Sequence, residues 1–160
     1  MSRQGPRLSA SETNYLLALF ACLGALLALR LLAVYAAKTD LVLDEAQYWT
    51  WSRELAFGYF SKPPMIAWVI RAASELCGNS EACIRSASPV LYTLAAFMIY
   101  LTGRALYGSR VGFWSAIVFA TLPGVSYSAN LITTDVPLIL FWTIALYAWV
   151  MLVKRQSMAF

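Results

Sequence analysis

The chain has 160 residues, 61% hydrophobic and 12% charged, with 12 Lys and Arg against 8 Asp and Glu and no histidine. A soluble domain carries roughly 25% charged and 45–50% apolar residues, so this chain is too apolar to be solvated on every side. Its basic residues stand singly between apolar runs, which argues for membrane topology and against nucleic-acid binding, and without histidine any acid–base chemistry falls to Asp, Glu, Lys or Tyr.

Residues 1–14 form an N-terminus carrying Arg3 and Arg7. The apolar stretch 15–37, broken only by Arg30, is long enough for a membrane helix, which takes about 20 residues. It exceeds the apolar region of a signal peptide and reads as an anchor. Arg30 faces other helices or snorkels outward, because a central intramembrane Arg costs about 2.5–3.5 kcal/mol on insertion scales.

A long loop over 38–89 follows, with two short amphipathic helices. In "DEAQYWTWSREL" Asp44 is placed to cap a helix, with Gln47 at its third position; the helix runs to Ala56, and Gly58 stops it. Pro63-Pro64 opens a second helix, "MIAWVIRAASEL", with Ile66, Val69, Ile70 and Ala73 on one face. At about 1.5 Å per residue neither crosses a core of about 30 Å, so both lie along the membrane surface. Three more spans follow at 90–106, 111–131 (kinked at Pro123-Gly124) and 136–153, with 154–160 as the closing end. The fold class is all-α: a polytopic membrane protein with four transmembrane helices and an outer loop bearing two surface helices.

With four spans, Arg3 and Arg7, Arg104 and Arg110, and Lys154 and Arg155 share one side, which the positive-inside rule makes cytoplasmic. Asp44 and Asp135 then share the outer face. So do Cys77 and Cys83, separated by five residues in a compartment that permits disulfides; they read as a bridge or as two free thiols.

The segments "LDEAQYWTWSREL", "GYFSKPPMIAWVIRA", "IRSASPVLYTLAA" and "TTDVPLILFW" together resemble the N-terminal part of the C-fold membrane glycosyltransferases. Nearest in pattern are the bacterial protein O-mannosyltransferase relatives (glycosyltransferase family 39) and the lipid A aminoarabinose transferases. The resemblance implies transfer of a sugar from a polyprenyl-phosphate carrier to a lipid or protein acceptor on the outer face of a bacterial inner membrane, with inversion. It places catalytic acids at Asp44, Glu45 and Asp135 and a donor-phosphate contact at Lys62, and Arg85, at the entrance of the second span, is by its own position a further candidate for the donor phosphate. The aminoarabinose enzymes carry Arg three residues after the acid, where this chain has Gln47.

The residue chemistry matches. A base must take the proton of an acceptor hydroxyl, and a cation must meet the charge growing on the leaving phosphate. Asp44 and Lys62 are of those types in one loop. No His/Cys cluster has metal-ligand spacing, so no cofactor is expected and a divalent metal is left open. The expected partners are the lipid-linked sugar, its acceptor and membrane lipids, with no nucleic acid.

Plainer roles stand beside these. Asp44 and Asp135 are good helix caps, Glu45 a solvated neighbour or metal-site candidate, Lys62 a snorkelling residue and Arg85 an interfacial anchor. The competing function is a transporter or lipid-binding membrane module, and a third reading is a non-catalytic fragment.

Overall fold

The structure, a computed structural model, describes residues 9–37 and 39–157. Arg3 and Arg7, on which part of the charge argument stands, lie outside the described residues. Every regular element among those described is a helix.

Helix α1 (Ala10–Ala36) begins five residues before the expected span. The cause is a capping box: Ser9 Oγ accepts from the Glu12 N–H at 3.3 Å while Glu12 accepts from the Ser9 N–H at 3.0 Å. At about 1.5 Å per residue its 27 residues reach about 40 Å.

Helix α2 (Leu43–Arg53) corrects the expected cap. The cap residue is Val42, and Glu45, third in the helix, accepts from the Val42 N–H at 3.0 Å. Asp44 is therefore a first-turn acid, which suits the positive end of the helix dipole. The helix also stops short of Ala56 and Gly58. The Tyr59 hydroxyl lies 2.9 Å from the carbonyl oxygens of both Trp51 and Glu54 and accepts from the Ala56 N–H, and its ring stacks on Trp51. These contacts hold 54–59 in a loop.

Helix α3 (Met65–Cys77) starts after Pro64 as expected and buries Ile66, Ala67, Ile70 and Ala73, with Val69 packed against the same core. It ends at Gly78, whose φ of 96° favours glycine. Cys77 and Cys83 are bridged, their Cα atoms 5.8 Å apart.

Helix α4 (Glu81–Tyr107) starts nine residues before the expected span. Ser80 caps it by accepting from the Cys83 N–H, and Pro89 sits inside the helix rather than before it. The first turns are buried through Cys83, Ile84, Arg85 and Ser88, and this packing carries the helix through the proline.

The expected span 111–131 is two helices, α5 (Ser109–Thr121) and α6 (Pro123–Ser128). Leu122 adopts the extended backbone (φ −53°, ψ 135°) favoured before proline, and Pro123 opens the next helix. Helix α7 (Asp135–Ser157) follows. Among the described residues, three helices, α1, α4 and α7, are thus long and apolar enough to cross a membrane.

Helices α4 and α5 meet backbone to backbone. A Cβ on Gly112 would lie 2.6 Å from the Tyr100 carbonyl oxygen and 2.8 Å from the Arg104 nitrogen. Leu19, Leu23, Ala96, Tyr100, Ala116 and Ala120 form the core among α1, α4 and α5. A second core joins Tyr48 of α2 and Ile66 and Ile70 of α3 to Ile84 and Tyr92 of α4, Ile132 and Val136.

Polar contacts mark the two ends of the bundle. At one, Arg104 pairs with Glu12 at 3.4 Å, the Ser109 hydroxyl reaches the same carboxylate, and the Lys154 ammonium donates to the Ala105 carbonyl. At the other, Arg85 holds the carbonyls of Thr39 and Asp40. The basic segments around 104 and 154 therefore share one end, and Asp44 lies at the opposite one.

Candidate active site

Asp44 and Glu45 are adjacent in sequence and opposite in environment. Glu45 is 2% exposed and Asp44 is at the surface. Helix α2 turns Glu45, Tyr48 and Ser52 inward, three and seven residues apart on one face.

Glu45 uses both oxygens. Arg85 Nε donates to Oε1 at 3.0 Å and Arg85 Nη2 to Oε2 at 2.6 Å. The Ile132 N–H donates to Oε1 at 2.9 Å and the Val42 N–H to Oε2 at 3.0 Å. Burial alone raises such a carboxyl's pKa, but the bonds from Arg85, Ile132 and Val42 outweigh it and hold the group below its ordinary value.

Arg85, 4% exposed, is equally committed. Its Nη1 donates to the Thr39 carbonyl at 3.0 Å and hydroxyl at 2.9 Å, and its Nη2 to the Asp40 carbonyl at 2.9 Å. This ion pair ties the α1–α2 link, the start of α2, the start of α4 and the segment before α7 into one knot. Asp44 is next to Glu45 in the chain, and Asp135 is three residues beyond Ile132, so the knot sets the position of both exposed acids.

Asp44, Lys62 and Asp135 are all exposed, and the charges of all three are felt at one buried phenol, that of Tyr48. Burial raises the Tyr48 pKa first; Asp44 and Asp135 push it further up, and Lys62 pulls it down. Nothing in the sequence reading gave Tyr48 a role of its own. The available signal was its place four residues after Asp44, one turn along the same helix.

Two hollows adjoin this cluster. A nearly all-apolar groove of about 180 Å³ runs between Pro63, Met65 and Ile66 on one side and Thr134, Pro137, Leu138 and Phe141 on the other. Its walls follow Lys62 and flank Asp135 in sequence. A second cleft, about 370 Å³, lies beside the α6 break and is lined by Tyr92, Pro123, Gly124, Ser128, Asp135 and Ile139.

Arg30 faces inward. It is buried, and its Nη2 donates to the Ala120 carbonyl at 2.5 Å and lies 3.3 Å from the Ser126 hydroxyl. The break at Leu122 frees the last carbonyls of α5, and a cation there also meets the negative end of the helix dipole. Among the described residues, no three of His, Cys, Asp and Glu gather as a metal-binding set.

A protein-family comparison matches residues 61–160 to dolichyl-phosphate-mannose-protein mannosyltransferases. Among curated proteins, the lipid A galacturonosyltransferase RgtD of Rhizobium johnstonii is 46% identical over 120 residues, covering 74% of this chain and 25% of the relative. The chain thus spans about a quarter of the length of the curated relative it matches. No solved structure gives a significant match. The family match covers more than half of the chain, and the chain belongs to the dolichyl-phosphate-mannose-protein mannosyltransferase family.

Proposed function

We propose that this chain carries the acid-bearing outer end of a membrane glycosyltransferase that moves a sugar from a polyprenyl-phosphate carrier to a lipid acceptor. The observation that carries the reading is that the charges of Asp44, Lys62 and Asp135 are all felt at the Tyr48 phenol, beside an apolar groove. The relative's name, a lipid A galacturonosyltransferase, favours a lipid over a protein acceptor.

In this reading Asp44 takes the proton of the acceptor hydroxyl. The acceptor oxygen forms its bond to the anomeric carbon as the bond from that carbon to the phosphate oxygen breaks, with inversion. The polyprenyl phosphate leaves with the electron pair, and Lys62 meets its charge. Asp135 holds sugar or acceptor hydroxyls from the other side. No metal is assigned, since Lys62 supplies the cation. Glu45 and Arg85, with their polar capacity taken up inside the fold, position Asp44 and Asp135 rather than touch substrate.

The same reading takes the α5–α6 segment as a fourth crossing. Ser109 lies at the Arg104 end of the bundle and Ile132 at the Arg85 end, so the chain between them returns along its full length. Helices α2 and α3 then lie along the outer surface of a bacterial inner membrane, with the Arg104 end cytoplasmic.

The test is Asp44→Asn in the full-length protein, assayed for transfer from a polyprenyl-phosphate sugar in vesicles. Removing a general base typically costs 10²–10⁴-fold, so the expected result is loss of transfer on that scale with donor binding retained. Wild-type turnover would remove Asp44 from the reaction.

A further inference from the structure

The end of the bundle remote from Asp44 holds the larger hollow, and nothing in the proposed reaction uses it. A cleft of about 780 Å³ opens between α4 and α7. Leu101, Ala148, Met151 and Leu152 give it apolar walls, and Arg104, Lys154 and Arg155 line its charged side. On α4 the distance from Arg85 to Arg104 is 19 residues, about 28 Å, so the two sites lie nearly a bilayer core apart.

The charges are unbalanced. Glu12 is the one carboxylate bonded there among the described residues, and it is shared between Arg104 and the Ser109 hydroxyl at 3.4 Å each. Lys154 spends a proton on the Ala105 carbonyl, and an ammonium has two more to give. The Arg155 side chain makes no hydrogen bond among the described residues and is exposed. The Tyr147 phenol also lines the cleft.

We propose that this cleft binds an anionic membrane phospholipid, with its phosphate on Arg104, Lys154 and Arg155 and an acyl chain along Leu101, Ala148 and Leu152. Charge complementarity selects an anion, and the apolar walls select one with a hydrocarbon tail. Basic hollows between membrane helices at the cytoplasmic end take such headgroups. The inference needs α4 and α7 to cross the bilayer and is independent of the chemistry at Asp44.

The intact protein, purified in a zwitterionic detergent, is titrated with phosphatidylglycerol, with phosphatidylcholine of the same chains, and with inorganic phosphate, and bound ligand is counted by native mass spectrometry. Phosphatidylglycerol saturates one site and phosphatidylcholine does not. A basic residue near an anionic lipid is worth about five-fold in affinity, so Arg155→Gln weakens binding about five-fold and Arg104→Gln/Lys154→Gln/Arg155→Gln about 100-fold. Arg155→Gln breaks no side-chain hydrogen bond or ion pair among the described residues and keeps the test valid if the triple variant fails to fold. Equal binding of the two lipids, or unchanged affinity in Arg155→Gln, overturns the proposal. Inorganic phosphate binding as tightly as the lipid overturns it in favour of a free-anion site. Absence of lipid binding with a Met151→Cys thiol shielded from maleimide overturns it in favour of a cleft filled by protein.

Discussion

Arg85 grips Glu45 through its Nε and Nη2, at 3.0 and 2.6 Å, across 40 residues of sequence and with both side chains almost wholly withdrawn from solvent. Breaking such a pair by removing one partner typically costs 3–5 kcal/mol, because a buried charge is left unpaired. Glu45→Gln and Arg85→Met are each expected to lower the thermal midpoint sharply in detergent. The double variant Glu45→Leu/Arg85→Met recovers only part of the loss, since the Ile132 and Val42 N–H groups and the Thr39 and Asp40 carbonyls still lack partners. A full recovery would mean that these backbone bonds contribute nothing.

The same pair sets a pH dependence. The folded pKa of Glu45 lies below its unfolded value of about 4.3. Its contribution is therefore fully present above about pH 4.3 and is lost as pH falls through the lower, folded value. Thermal melts of Glu45→Gln and wild type should differ by a constant amount from pH 6 to 8 and converge in acid. A gap unchanged into strong acid would exclude this linkage.

Lys62 and Tyr48 should separate kinetically. Lys62→Ala is expected to raise the KM for the lipid-linked donor and to lower kcat as well, because the cation meets charge that grows as the phosphate leaves. Tyr48→Phe keeps the buried ring and removes only the hydroxyl, so the fold should hold while transfer falls by roughly 10-fold, the scale of about 1.4 kcal/mol. Steady-state kinetics with varied donor decides both, and an unaltered Lys62→Ala enzyme would leave that side chain a headgroup anchor.

Two glycines, Gly112 in α5 and Gly24 in α1, should respond oppositely to Ala. Gly112→Ala drives a methyl into the backbone of α4 on two sides, and overpacking typically costs 1–3 kcal/mol. Gly24→Ala meets nothing within 4 Å and gains up to about 1 kcal/mol in helix propensity. Thermal midpoints falling in the first variant and holding or rising in the second would bear this out.

The bridge between Cys77 and Cys83 closes a small ring where α3 hands over to α4. Small rings gain the least from loop entropy, about 2–3 kcal/mol at most. Cys77→Ser/Cys83→Ser should lower the midpoint by that order, and reductant should lower wild type equally while leaving the variant unmoved. Alkylation of both thiols in protein taken from an oxidising compartment would rule the bridge out.

How far the sequence carries can be seen at particular residues. Pro63-Pro64 and the spacing of Ile66, Ile70 and Ala73 are local signals, and α3 stands where they put it. Pro123 marked a disturbance, but only the extended backbone at Leu122 shows that the helix stops and restarts. Pro89 misled in the other direction, because burial of Cys83, Ile84 and Arg85 carries α4 through it. The inward turn of Glu45 was half legible in its three-residue spacing to Tyr48. Its partner was not, since no local rule links residue 45 to residue 85 or to the amide of Ile132. The joint effect of Asp44, Lys62 and Asp135 on Tyr48 likewise depends on packing between segments far apart in the chain.

Arg30 also has a history during synthesis. Its acceptor, the Ala120 carbonyl, is made 90 residues later. At about 5–20 residues per second the ribosome needs some 5–20 s to supply it. Throughout that interval an α1 inserted in the membrane carries a charge costing about 2.5–3.5 kcal/mol on insertion scales. The first helix therefore enters as an unfinished anchor, kept in place by its other apolar residues, and becomes a settled one only when the broken helix arrives to receive its guanidinium.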